Sequence, residues 1–152
     1  MSSIAAPTAP PAPLAGEATA RAEAPALSAP VNVFVIPAYN EEENLPRLFA
    51  ELEARPSLFP GGSRVLIVDD GSQDATAALV ESYSGPLPVE LIRLERNRGP
   101  GAAFRAGFEA ALRHCPDDAL VVTLEADTTS DLDALPRMLE RAAAGAELVL
   151  AS

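Results

Sequence analysis

Two acidic residues, Glu125 and Asp127, close an apolar run in the sequence ALVVTLEAD. The run has the composition of a buried strand. Residues i and i+2 of a strand point to the same face about 7 Å apart, so both carboxylates are expected at one place. The pair is either a solvated strand end or part of a binding site.

Three other stretches place polar or glycine-rich sequence directly after an apolar run: PAYNEEEN, VDDGSQDAT and ERNRGPGAAFRAG. Each has an ordinary structural explanation when taken alone, because acids favour helix N-termini and Asp and Gly favour turns. All four stretches together at one place would be typical of a binding site. The candidate residues in the three stretches are Pro37, Tyr39, Glu41, Asp69, Asp70, Arg98, Gly99 and Gly101.

Short apolar strands and amphipathic helices alternate from residue 31 onward. The strands are predicted at 31–37, 64–70, 89–95, 119–127 and 146–152, with helices between them. This alternation predicts an α/β, Rossmann-like fold with a mostly parallel sheet and helices on both faces. Ligands of such sheets bind beyond the carboxyl ends of the strands, where all four stretches would meet.

The predicted helix over residues 101–114 places four apolar side chains on one face, which is expected to pack on the sheet: Phe104, Phe108, Ala111 and Leu112. Residues 1–30 are rich in Ala and Pro without apolar periodicity, and they are predicted to be a disordered tail ahead of a single domain over residues 31–152.

The net charge of −11 argues against nucleic acid as a partner. All eleven basic residues are arginine, which excludes a lysine-dependent P-loop. The single cysteine, Cys115, cannot form an internal disulfide, as expected in a reducing compartment. No apolar run approaches membrane-spanning length.

The sequence VLIVDDGS is also similar to the start of a receiver-type signalling module, which normally uses a lysine that this chain lacks.

The ordered set PAYNEEENLP, VDDGSQDAT, NRGPGAAFRAG and acid-x-acid resembles the nucleotide-sugar domain of family 2 glycosyltransferases. The similarity is to the GT-A type and to the branch of dolichol-phosphate mannose synthase and polyprenyl-phosphate glycosyltransferases. It covers residues 31–152, the donor-binding part. The resemblance implies that acceptor-side residues, including any catalytic base, lie outside this chain, which is expected to stop after its fifth strand.

The resemblance also implies roles for the candidate residues. Pro37, Tyr39 and Glu41 would line the nucleoside pocket, and Asp69 and Asp70 would accept hydrogen bonds from the base or sugar. Gly99 and Gly101 would let the backbone approach the nucleotide, with Arg98 near phosphate.

Glu125 and Asp127 occupy the position of the family's DXD motif, with glutamate in place of the usual first aspartate. They would hold Mg²⁺ or Mn²⁺. The implied reaction is transfer of a hexose from a nucleotide diphosphate sugar, of the GDP-mannose or UDP-glucose type, to a lipid phosphate or other acceptor. The implied location is cytoplasmic, peripheral at the membrane. A non-catalytic nucleotide-binding module and an inactive fragment are the alternatives.

Overall fold

The computed structural model of the chain describes residues 31–150, so the predicted tail over residues 1–30 lies outside the described residues. The strands and helices alternate in the predicted order, with two short 3₁₀ turns at Pro56–Leu58 and Leu132–Ala134. The elements are β1 (Asn32–Ala38), α1 (Leu45–Glu53), β2 (Arg64–Asp69), α2 (Thr76–Glu81), β3 (Val89–Arg93), α3 (Pro100–His114), β4 (Leu120–Thr123) and α4 (Leu135–Ala143).

The four strands form one parallel sheet in the order β3-β2-β1-β4. β1 lies between β2 and β4, and its residue Val35 is paired with Leu66 on one side and with Thr123 on the other. Because every strand runs in the same direction, their carboxyl ends meet at one edge of the sheet. The predicted α/β fold is confirmed.

Alternate residues of the central strands pack on opposite faces of the sheet. On one face, Phe34 and Ile36 of β1 belong to a core that includes side chains of α1, α2 and α4. On the other face, Val33 and Val35 pack with Leu66 of β2 and with α3. Both faces are therefore covered, which explains why β1 and β2 are apolar between their terminal residues.

The buried face of α3 consists of small residues: Ala103, Gly107, Ala110 and Ala111. The prediction that large apolar residues of this helix pack on the sheet is wrong for Phe108 and Leu112, which are 39% and 84% exposed. A Cβ atom at Gly107 would overlap with Cγ1 of Val35. The helix lies so close to β1 that only small side chains fit between them.

The predicted fourth strand is shorter than expected, because β4 ends at Thr123. Its ladder with β1 stops at the Val35–Thr123 pair, followed by one bond from the N–H of Leu124 to the carbonyl of Val35. Glu125 and Asp127 consequently lie in the turn after the strand and not within it.

The predicted fifth strand is wrong over the described residues 146–150, which have no strand conformation. This segment lies beside β4 across a cavity of about 490 Å³, which both of them line. A strand needs backbone hydrogen bonds to a neighbour, which this segment does not make with β4, and Leu148 and Leu150 remain 75% and 78% exposed.

Candidate functional site

A cleft of about 280 Å³ opens at the carboxyl edge of the sheet. Its walls come from the loop after β1, the turn after β2, the start of α3 and the turn after β4. It brings together seven of the predicted site residues: Pro37, Tyr39, Glu41, Asp70, Gly99, Glu125 and Asp127. Tyr39 is 40% exposed, so its ring is available to a ligand.

The loop after β1 is fixed to the segment after β2 by hydrogen bonds in both directions. The backbone N–H groups of Asn40 and Glu41 donate to the hydroxyls of Ser72 and Thr76 at 2.9 and 2.8 Å. In return, the N–H of Gln73 donates to Oδ1 of Asn40 at 3.0 Å. These bonds stabilise the positive φ of 57° at Asn40, which turns the chain toward the cleft.

Asp74 completes the connection between these two loops. Its Oδ2 accepts from the N–H of Glu42 at 3.1 Å, and its Oδ1 accepts from the N–H of Thr76 at 2.9 Å. Partial burial alone would raise the pKa of Asp74, but hydrogen bonds with Thr76 and with the backbone N–H of Glu42 outweigh it. The pKa therefore lies below the usual 3.8, and Asp74 stays ionised at neutral pH.

The adjacent acids Asp69 and Asp70 have different surroundings. Asp69 is fully buried, accepts from the N–H of Ser72 at 2.8 Å, and has Nε of Arg93 3.2 Å from its Oδ2. It does not line the cleft. Asp70 does line the cleft, but both of its oxygens accept backbone hydrogen bonds, from Arg98 at 2.9 Å and from Gly99 at 2.7 Å.

Arg98 and Gly101 are not brought into this cleft. They line a separate cavity of about 500 Å³ on the other side of α3, together with Arg105 and Glu109. The exposed side chain of Arg98 therefore lies apart from Glu125 and Asp127, whereas its backbone N–H is tied to Asp70.

Thr129 joins the two carboxylates in the turn after β4. Its hydroxyl lies 2.8 Å from Oδ1 of Asp127 and 3.5 Å from Oε2 of Glu125, and its N–H also donates to Asp127 at 3.0 Å. The positive φ of 60° at Thr128 creates this tight turn. Both acids are exposed, so their remaining oxygen lone pairs face solvent.

No group of three or more His, Cys, Asp or Glu side chains suited to a metal ion occurs within residues 31–150. Two exposed carboxylates on one cleft wall still fit Mg²⁺, which proteins commonly bind through one or two carboxylates plus water and substrate phosphates. The donor set is thus compatible with a metal that arrives with a phosphorylated ligand.

Asn97, Phe104 and Thr129 are among the residues near the site that were not predicted as site residues. Asn97 and Phe104 line the cleft, and Thr129 contacts both acids. Asn97 lies between Arg98 and Arg96 in a loop already singled out by its glycines, so the loop could have indicated it. Thr129 stands two residues beyond Asp127, which is a signal of position only, because its contacts with both acids depend on the turn at Thr128.

The family model described as "Glycosyl transferase family 2" matches residues 33–152. The match includes every element described above and every residue of the cleft. The chain belongs to glycosyl transferase family 2. Membership in this family favours the glycosyltransferase interpretation over the receiver-type signalling module.

Among similar family 2 relatives are enzymes named undecaprenyl-phosphate 4-deoxy-4-formamido-L-arabinose transferase. That of Pseudomonas fluorescens (strain Pf0-1) is 38% identical over 117 residues, covering 76% of this chain and 33% of the relative. That of Pseudomonas aeruginosa (strain LESB58) is 40% identical over 118 residues, with the same coverage. The chain spans about a third of the length of these relatives.

Solved structures with a similar fold include TarS of S. aureus, residues 1–349. It is 27% identical with a TM-score of 0.58, covering 75% of this chain and 31% of that one. The same protein in complex with UDP-GlcNAc gives the same identity and TM-score. Over the residues that the structure describes in this chain, no helix has the length and apolarity needed to cross a membrane.

Proposed function

We propose that this chain forms the donor-binding part of a glycosyltransferase that transfers a sugar from a nucleotide diphosphate sugar to a polyprenyl phosphate. The observation that carries the proposal is the cleft itself. It joins an aromatic and apolar wall at Pro37, Tyr39 and Phe104 to a pair of carboxylates at Glu125 and Asp127. A base can pack on the first surface, and the carboxylates can hold the divalent ion that neutralises a diphosphate.

The residues of the cleft would contact different parts of the nucleotide sugar. Tyr39 and Pro37 offer flat apolar surface to the base, and Glu41 lies on the same wall with Oε2 held 2.7 Å from Nδ2 of Asn44. Glu125 and Asp127 would hold Mg²⁺ or Mn²⁺. When bound, the ion supplies positive charge that stabilises the diphosphate leaving group.

The names of similar proteins support the proposed substrates. The relatives from Pseudomonas are named for an undecaprenyl-phosphate acceptor, and TarS has been solved with UDP-GlcNAc. We therefore favour a UDP-sugar as donor over a GDP-sugar, and a lipid phosphate as acceptor. Because such an acceptor is anchored in a bilayer, the reaction would take place at the cytoplasmic membrane surface.

The test is a thermal melt of the 152-residue chain with UDP or GDP, each with and without Mn²⁺. A ligand that binds the native state at about 100 times its Kd adds about 2.7 kcal/mol, a rise in Tm on the order of 10 °C. We expect this rise with UDP plus Mn²⁺ and a much smaller one with UDP alone or with GDP.

Two matched double variants separate the metal site from general charge effects. Glu125→Gln with Asp127→Asn should abolish the Mn²⁺-dependent part of the rise. Asp117→Asn with Asp118→Asn removes two exposed acids in the turn ahead of β4, at the opposite edge of the sheet, and should leave the rise intact. A Mn²⁺-dependent rise that persists in the first variant would refute the metal role. A wild-type melt that no nucleotide shifts would refute the donor site.

A further inference from the structure

Four of the eleven arginines of the chain lie between residues 93 and 105: Arg93, Arg96, Arg98 and Arg105. The same segment contains one acid, Glu95, so its net charge is +3, and the rest of the chain must carry −14 to give the total of −11. All four arginines are exposed. A protein that repels anions over most of its surface therefore has a local surface that attracts them.

The protein itself neutralises few of these charges. Arg93 has its Nε 3.2 Å from the buried carboxylate of Asp69. Within residues 31–150, in contrast, no carboxylate oxygen lies within 4.0 Å of the guanidinium groups of Arg96, Arg98 and Arg105. These three groups remain available to an external anion, and the guanidinium fork matches the geometry of a phosphate.

Arg98 and Arg105 line one cavity of about 500 Å³, on the other side of α3 from the cleft. The acid that also lines this cavity, Glu109, lies 3.9 Å from Nη1 of Arg113, so part of its charge is balanced within the helix. Nothing lies within 4 Å of a Cβ position at Gly101, in the same wall. The surface formed by Arg98 and Arg105, here called the arginine surface, is thus open to a phosphate headgroup.

The arginine surface and the cleft share the first turns of α3. Pro100, Ala103 and Phe104 of this helix line the cleft, whereas Gly101 and Arg105 line the cavity. The first turn of α3 contains no acidic residue, so the partial positive charge of the helix N-terminus adds to that of the arginines. A flat anionic surface in contact with the arginines would therefore lie along the rim of the cleft, at the carboxyl edge of the sheet.

We propose that the arginine surface docks this domain on a bilayer of anionic phospholipids, with the cleft beside the headgroups. Delivery of the cleft to a lipid-phosphate acceptor rests on the proposed function, whereas the docking itself does not. Each arginine close to an anionic bilayer favours binding by roughly fivefold. At about 0.15 M salt the Debye length is about 8 Å, so the bilayer is screened from distant acids of the chain but not from arginines in contact with it.

The test is sedimentation of the 152-residue chain with sucrose-loaded vesicles. One set contains phosphatidylcholine alone, and the other contains phosphatidylcholine and phosphatidylglycerol in about equal amounts. We expect binding to the anionic vesicles only, and its loss toward about 1 M salt, where the Debye length falls to about 3 Å. Equal binding to both sets, or no binding to the anionic one, would overturn the proposal.

Two double variants that remove the same charge locate the contact. Arg98→Gln with Arg105→Gln should lower the partition coefficient about 25-fold, at roughly fivefold for each arginine. Arg137→Gln with Arg141→Gln is the matched control, because these arginines are exposed on α4, which packs on the opposite face of the sheet. The control should bind nearly as well as the wild type. Equal losses in both variants would mean that net charge governs binding, and the arginine surface would be refuted.

A calorimetric titration with inorganic phosphate distinguishes a bilayer from a free anion. We expect no saturable binding in the submillimolar range, because two arginines on an open surface hold a single phosphate weakly. Submillimolar binding that disappears in Arg98→Gln with Arg105→Gln would identify a small-anion site and would overturn docking on a bilayer.

The rise in Tm with UDP and Mn²⁺ distinguishes the arginine surface from the donor site. It should persist in Arg98→Gln with Arg105→Gln, because neither arginine lines the cleft. Loss of the rise would place these arginines at the donor phosphate and refute their role at a bilayer. If the wild type binds anionic vesicles but no nucleotide, the proposed function fails and the docking stands, and the reverse result rejects the docking alone.

Discussion

Replacing Gly107 by Ala should destabilise the protein, although the same change in an exposed helix is normally stabilising. Gly107 lies in the middle of α3, where Ala is favoured over Gly by about 1 kcal/mol. Against this gain stands the packing of the new methyl group. It would overlap with Cγ1 of Val35 and lie 3.2 Å from Cγ2 of Val68.

The size of the effect follows from the position of Val35. This side chain is fully buried on a central strand, so it cannot turn away into solvent. Overpacking of a core typically costs 1–3 kcal/mol. After the helix gain of about 1 kcal/mol, the net loss should be roughly 1 kcal/mol, or a fall in Tm of about 3–5 °C for a domain of this size.

Urea denaturation of the wild type, three single variants and one double variant provides the measurement. Gly101→Ala is the matched control, since it is in the same helix and nothing lies within 4 Å of its Cβ position. Val35→Ala should cost less free energy in the Gly107→Ala background than in the wild type, with a coupling of at least 0.5 kcal/mol. If Gly107→Ala stabilises the chain as Gly101→Ala does, α3 is not held against β1 as described.

Three further outcomes are expected. Asn32→Ala should lower the free energy of unfolding by about 1–3 kcal/mol in urea denaturation, because the buried Asn32 amide donates to the carbonyl of Leu58 at 2.8 Å. Thr129→Val should weaken Mn²⁺ binding several-fold in a calorimetric titration with UDP, whereas Thr129→Ser, which keeps the hydroxyl near Asp127, should not. Asp74 has a lowered folded-state pKa, so its contribution is complete above its unfolded pKa of about 3.9 and is lost as the pH falls through the folded value. Melts across pH 2–7 should therefore show Asp74→Asn less stable than wild type at neutral pH, and the difference should shrink below about pH 4.

The sheet was predictable because β1 and β2 are buried on both faces. Such strands are apolar throughout, and their β-branched composition separates them from the helices. The segment AELVL at 146–150 is also largely apolar, so its sequence could not reveal that it would line a cavity with β4 without pairing to it. Composition shows that a segment can form a strand, whereas pairing requires a neighbour at hydrogen-bonding distance.

Helix α3 shows a second limit of hydrophobic periodicity. Phe108 and Leu112 mark the most apolar stripe of the helix, yet the buried stripe contains Ala103 and Gly107. The separation between helix and sheet decides which stripe is buried, and small residues permit the closer contact. A prediction based on hydrophobicity alone, without side-chain volume, therefore selects the wrong face of α3 as the buried one.

The location of the candidate site was predictable from the sequence, but the role of each residue in it was less so. Asp69 and Asp70 are indistinguishable in the sequence, but successive residues at a strand end point in opposite directions. Both carboxylates are buried, but that of Asp69 lies beside Ser72 and Arg93, whereas that of Asp70 accepts from the N–H groups of residues 98 and 99. Such assignments depend on contacts about 30 residues apart, which local patterns do not contain.

The turn after β2 connects both loops that border the cleft. Asp70 accepts from the backbone N–H groups of residues 98 and 99 ahead of α3, while Ser72, Asp74 and Thr76 accept from those of the loop after β1. In each of these bonds a side chain of the segment after β2 accepts from a backbone N–H group of a loop, and in return the side chains of Asn40 and Glu42 accept from the N–H groups of Gln73 and Ala75. Loop side chains other than those of Asn40 and Glu42 can consequently change to suit a different nucleotide sugar, while the VDDGSQDAT segment keeps the distance between the two walls.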